Sequence, residues 1–505
     1  MRGNNNDGSV VEILPPILKA IRRSKMAAIR SSAVEAVRES DRYGNDAAVS
    51  MDVETNAGGH ATGAIDVAIC VTDRPAEDFP AQQLEIEDLA SDSRRNEASI
   101  ILPSISNPAI NRYRVLSVSL INFAGGLNDS APGALIPYIE KKYNIGYALV
   151  SLIFVANAVG FLAAAPCTHI LERRLGRART YMVAEVAICA AFLALVCTPP
   201  FPVVVIAFLP IGFGLATALA LSNVFCANLA NGTVALGLLH GSYGIGGTLG
   251  PLMATAIASH TGKWSPFYFI TLGMAVINTA LASWTFRGYE NELAAMRMSR
   301  SSSDPHTEDH SHAGTFRGIK NRVTILGALF IFAYQGAEVS ISGWIVSFLV
   351  TYRHGNLADV GYVSAGFWAG ITVGRFLLSH PAQRLGEKFF VVMAIAGALG
   401  FQLIVWLVPN LIGEAVAVAI VGLLLGPIFP CAAAVFTKLL PRNIQMSSLS
   451  FISALGSSGG AVAPLATGLL AQKVGTFLLH PICIGLFVAM EGCWGVLPRI
   501  RKRSV

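Results

Sequence analysis

Residues 120–139, LINFAGGLNDSAPGALIPYI, and residues 328–349, ALFIFAYQGAEVSISGWIVSFL, decide the fold. Each is an apolar run long enough to cross a bilayer, and each carries one acidic residue. These are Asp129 and Glu338, 209 positions apart. A carboxylate in hydrocarbon costs several kcal/mol, so an intramembrane acid marks a functional site by default. Two of them in register across an internal repeat predict a transporter whose site lies between the halves.

The rest of the chain supports a membrane reading. It has 505 residues, 53% of them hydrophobic and only 13% charged, against about 25% charged in a soluble domain. Mean hydropathy is +0.55, although the first 110 residues are polar. The formal charge of +6 does not point to nucleic acid, because the basic residues flank apolar spans. No zinc-type cysteine pairs occur, and the cysteines of the apolar spans read as small core residues.

Spans of about 20 apolar residues are needed to cross about 30 Å of hydrocarbon. Twelve are expected, at 114–138, 146–169, 181–198, 202–227, 233–259, 266–286, 322–349, 358–380, 389–408, 411–436, 447–473 and 478–497. The predicted organisation is a disordered cytoplasmic tail over 1–110, with one short amphipathic helix possible near Ser24–Val37. A six-helix bundle follows over 111–286, then a cytoplasmic linker over 287–320, a second six-helix bundle over 321–498 and a basic tail over 499–505. Lysines and arginines concentrate about fivefold on one side of the spans, which places both termini in the cytoplasm. The sequons at Asn128 and Asn231 then escape glycosylation.

The halves match elsewhere. RRLG (173–176) answers QRLG (383–386), and GGTLGPL (246–252) answers GGAVAPL (459–465). With these residues the chain resembles the major facilitator superfamily over 111–498. The loop between spans 2 and 3 keeps Arg174, Gly176, Arg177 and Arg179 of that family's gating loop, with Arg384 and Gly386 in the second half. The loop's usual aspartate is replaced by Arg173. LND (127–129) resembles the fucose permease branch of sugar:proton symporters. HGSYGIGGTLGP (240–251) and YQGAEVSISGW (334–344) resemble poorly characterised fungal members near it. The branch's acidic residue of span 4 corresponds here to Leu219, if Asn223 is the matching asparagine.

The resemblance implies an all-α membrane protein, with twelve helices in two pseudo-symmetric bundles around a central cavity. Proton coupling is expected through Asp129 together with Glu338, or through Asp129 alone. The substrate wall is expected to include Asn122, Asn128, Asn157, His240, Tyr243, Tyr334, Gln335 and Trp368. Each has a plainer alternative. Asp129 could be a structural carboxyl, Glu338 part of a packing network, and His240 a hydrogen-bonded core histidine. Glu185, Arg375 and Glu491 read as snorkelling groups or structural ion pairs near the cytoplasmic span ends. Gly237, Gly246 and Gly250 with Pro251 partly fit a drug-exporter pattern, and otherwise read as helix packing.

HTEDHSH (306–312) reads as a solvated loop, so no metal and no cofactor is expected. The absence of a nucleotide-binding loop argues against ATP-driven pumping. The expected partners are a small solute such as a sugar, protons and the bilayer, with no nucleic acid, in a monomer of the plasma membrane. Proton-coupled export of drugs or metabolites, and a non-transporting sensor or scaffold, remain as alternatives to symport. Catalysis is not expected.

Overall fold

Apolar spans in lipid must satisfy every backbone hydrogen bond internally, which leaves helices as the solution for this composition. The computed structural model describes residues 49–51, 69–71, 103–230, 232–292 and 321–498. The chain forms two units, Met1–Ile100 and Ile101–Val505. In the first, Val49–Met51 (β1) pairs antiparallel with Ile69–Val71 (β2). The expected tail helix at Ser24–Val37, most of the linker with its histidines, Asn231 and the basic tail lie outside the described residues.

The second unit is helical. Its first half contains α1 (Ile110–Ser130), α2 (Pro132–Tyr143), α3 (Tyr147–Val150), α4 (Leu152–Leu175), α5 (Arg177–Val196), α6 (Phe201–Ala227), α7 (Gly232–Thr261) and α8 (Phe267–Thr285). Its second half contains α9 (Arg322–Thr351), α10 (Leu357–Val360), α11 (Tyr362–Leu377), α12 (Ser379–Leu385), α13 (Glu387–Leu407), α14 (Leu411–Leu425), α15 (Ile428–Leu439), α16 (Arg442–Val474) and α17 (Leu479–Val496).

Several expected spans are interrupted. The first kinks at Ala131, because Pro132 lacks the N–H that would continue the ladder; Ala131 itself keeps helical angles. The tenth is divided at Gly426 and Pro427. Among the described residues, nine helices are long and apolar enough to cross a membrane. The three expected spans that fall short are 114–138, 233–259 and 358–380. Their polar and glycine residues dilute the apolar run.

Helix pairing repeats between the halves. In the first, α1 packs along α7, α4 along α6, and α5 along α8. In the second, α9 packs along α16, α11 along α14, and α13 along α17. The halves meet where α7 lies on α11, α4 on α16 and α2 on α9.

Small residues at matching positions enable the close pairs. A methyl added at Gly246 would overlap the Phe123 carbonyl, and one at Gly459 the Phe332 carbonyl. The GGTLGPL and GGAVAPL repeats are therefore contact surfaces of α7 on α1 and of α16 on α9. Gly160 and Gly212 join α4 to α6 in the same way, and Gly370 and Gly422 join α11 to α14. The turns after α4 and α12 each end on a glycine with positive φ, Gly176 at 79° and Gly386 at 92°. A side chain there would be strained.

Gly246→Ala and Gly459→Ala should each destabilise the fold by about 1–3 kcal/mol through overpacking. Gly273→Ala, whose Cβ would meet nothing within 4 Å, should be neutral. Heating purified variants and following their monodispersity by size exclusion checks this. Equal stability of all three would contradict the packing assignment.

Candidate functional site

The three helices that fall short of membrane hydropathy carry the polar centre together with α9. The turn of α1 before its kink bears Asn128 and Asp129. On α7, Tyr243 donates its hydroxyl to Asp129 Oδ2 at 3.0 Å. Asn128 Nδ2 donates to Asp129 Oδ1 at 3.2 Å. The Tyr243 ring stands nearly edge-on to Trp368 of α11, with centroids 6.2 Å apart. Trp368 is 4% exposed, and its Nε1 donates to Ser342 Oγ of α9 at 2.8 Å. Thr372, one turn further along α11, donates to the Gly244 carbonyl of α7 at 3.0 Å. That bond crosses between the halves.

Glu338 of α9 is 6% exposed. Arg375 Nη2 of α11 lies 3.6 Å from its Oε1. Tyr334, buried one turn earlier, lies against both groups. Glu338 is within electrostatic reach of Asp129 and of Tyr243, and Arg375 is within reach of His240 and Tyr243. One continuous polar cluster thus joins α1 and α7 of the first half to α9 and α11 of the second.

Of the expected wall, the structure brings together Asn128, Tyr243, Tyr334 and Trp368, with His240 near Arg375. Gln335 is half-buried and faces the contact of α9 with Gly460. Asn122 donates to the Val118 carbonyl of its own helix at 2.9 Å, so that donor is taken up locally. Asn157 lies beside Gly212 in the α4–α6 contact. Arg174, Arg179 and Arg384 are exposed at the turns. Arg177 is buried instead, paired with Glu172 at 2.6 Å and stacked 5.0 Å from the Tyr289 ring. Its backbone N–H donates to Glu290. A carboxylate at the start of α5 suits the helix dipole.

Arg375, expected to snorkel or to form a structural ion pair near a helix end, lies 3.6 Å from Glu338 in the central cluster. The signal was present in the spacing of Trp368, Thr372 and Arg375, which at i, i+4 and i+7 share one helix face. Ser342 was also missed; one turn beyond Glu338, it shares that residue's face. Glu185, by contrast, is buried at 2% exposure, and no ion pair forms to it or to Glu491 among the described residues. The exporter-like glycines Gly246 and Gly250 lie against α1, as helix packing requires.

The Major Facilitator Superfamily model matches residues 118–464. "Bypass of stop codon protein 6" of Saccharomyces cerevisiae is 27% identical over 417 residues, covering 77% of this chain and 83% of that protein. A glucose/galactose transporter of Brucella abortus is 24% identical over 412 residues, covering 76% and 94%. The crystal structure of the nucleoside transporter NupG superimposes with a TM-score of 0.60 at 13% identity, covering 75% of this chain and 98% of that one.

Removing one partner of a buried ion pair leaves the other charge uncompensated. Arg375→Gln should therefore lower the unfolding temperature by several degrees, and adding Glu338→Gln should restore part of the loss. Intrinsic tryptophan fluorescence during heating checks this. Additive losses in the double variant would show that the two side chains do not interact.

Proposed function

We propose, for a chain that belongs to the Major Facilitator Superfamily, that it takes up a sugar or similar polyol together with protons by alternating access. One observation carries this reading. The central cluster sets two carboxylates, Asp129 and Glu338, against one guanidinium, Arg375. Electroneutrality in a low-dielectric site then needs one more positive charge, and a proton is the smallest carrier of it. Arg375 lies on Glu338, which leaves Asp129 as the proton carrier, with the Tyr243 hydroxyl and the Asn128 amide to hold its ionised form.

The surroundings suit a hydroxylated solute. Trp368 and Tyr243 offer ring surface for the C–H face of a sugar. Tyr334, Gln335 and His240 offer donors and acceptors for hydroxyls, and the buried Arg375 Nε has no hydrogen-bond partner. The Brucella relative, named as a glucose/galactose transporter, supports the same class. Packing of α7 against α1 accounts for the glycines that would otherwise suggest an exporter. The two six-helix bundles, 111–286 and 321–498, act as the moving bodies, and the turns at Gly176 and Gly386 lie on the cytoplasmic side. The chain functions as a monomer in the plasma membrane.

With both termini cytoplasmic, protease tags at either end should survive treatment of intact cells and be cleaved after permeabilisation. Cleavage from outside would overturn the topology. For the mechanism, Asp129→Asn keeps size and hydrogen-bonding capacity while fixing the neutral state. It should abolish accumulation of a labelled sugar against its gradient and leave counterflow largely intact. The measurement is uptake from a sugar panel under an imposed pH gradient in a transport-null host. Normal accumulation with a normal pH response in this variant would refute the coupling role.

A further inference from the structure

A third carboxylate, that of Glu140, sits where the halves pack on each other, eleven residues beyond Asp129. Beside the central cluster, a methyl added at Gly133 would overlap the Ser342 carbonyl of the other half. Toward the end of the spans opposite Gly176 and Gly386, the packing between the halves is tight as well. Cβ atoms at Gly361 and Gly468 would press on Thr255 and on Ser151 and Trp344. Here the Tyr147 ring stands edge-on to Trp344, with centroids 5.7 Å apart, and Phe154 packs on the same indole at 6.2 Å. Thr351, bonded to Thr476 at 2.7 Å, lies beside the Tyr147 hydroxyl.

Glu140, near the end of α2, belongs to this closure. Its Oε1 is buried and has no hydrogen-bond partner. It is within electrostatic reach of Tyr147. The helices packed on α2 are α1, α3, α7, α9 and α11. The titratable and charged groups they bring to this end are Tyr147 from α3, His260 from α7, Tyr352 with Arg353 just past α9, and Tyr362 from α11. Arg353 is held by Glu414 at 2.5 Å. Lys141 and Lys142, next in sequence, are exposed. The half-buried Glu140 therefore has the Tyr147 phenol within reach, and among the described residues no cation pairs with it.

We propose that Glu140 is a second proton-binding site, loaded when this end of the pathway is closed and emptied to the medium when the halves part. A carboxylate anion held without a donor or cation is costly in a buried site, whereas water satisfies it once the site opens. Closure and proton binding then favour each other reciprocally. Lower pH stabilises the closed end, and higher pH favours its opening. The inference rests on the alternating-access reading, but not on Asp129 as the coupling group.

The test uses the full chain in lipid nanodiscs with native cysteines replaced. Spin labels go on Asn144→Cys and Lys473→Cys, exposed positions at this end of the two halves. Electron–electron distances are measured from about pH 5.5 to about pH 8.5, a range that brackets a carboxyl raised by burial. The parent should show a short distance at low pH and a several-fold larger long-distance fraction at high pH. Glu140→Gln, and Glu140→Met as a second neutral variant, should stay short throughout, while Asp129→Asn, which removes only the central site's contribution, should still lengthen at high pH. A parent without pH response, or neutral Glu140 variants that follow the parent, would overturn the proposal. If Asp129→Asn alone removes the response, the pH dependence belongs to the central site, and the Glu140 proposal fails while the coupling reading stands.

Discussion

Two carboxylates and one guanidinium, enclosed together at the meeting of four helices, constrain the rest of the structure. A buried charge without a partner is worth several kcal/mol of instability. Glu338 and Arg375 offset each other at 3.6 Å, a separation long enough to leave room for exchange of partners. Asp129 has only neutral donors, Tyr243 and Asn128. Among the described residues, that leaves one carboxylate of the cluster without a cation of its own.

Close glycine packing occurs both within the halves and between them. Within a half, glycine brings backbones together: Gly246 on Phe123, Gly160 on Leu209, and their counterparts Gly459 on Phe332 and Gly370 on Ala419. Such small residues permit close helix approach. Between halves, Gly133 lies on the Ser342 carbonyl and Gly361 on Thr255, and Thr372 donates to the Gly244 carbonyl.

The fold was legible because the repeat is written in residues whose physics is simple. Acidic residues 209 apart, RRLG with QRLG, and the two glycine–proline runs all pointed to two like halves, and the helix pairings repeat accordingly. The Gly160–Gly212 and Gly370–Gly422 contacts went unread, since isolated glycines in apolar runs have no local signature. The site was half legible. Asp129, Glu338, Tyr243, Tyr334 and Trp368 were found as polar or aromatic groups in apolar spans. An ion pair was one of the two expectations for Arg375, but only the fold shows that its partner is Glu338. Asn122 was over-read, since a helix-internal amide can bond its own backbone, as it does to Val118.

The interrupted and least apolar spans follow from the same constraint. A helix that must present Asp129, or Trp368 with Thr372 and Arg375, to a central site cannot also be uniformly apolar. α1, α7 and α11 are therefore poor membrane helices alone. More apolar helices pack on each of them: α8 on α1, α6 on α7 and α14 on α11. Pro132 and Gly426 sit beside polar or cross-helix contacts for a related reason. A kink frees backbone groups that only neighbouring protein or water can satisfy. Kinks are tolerated where a helix is buried among others.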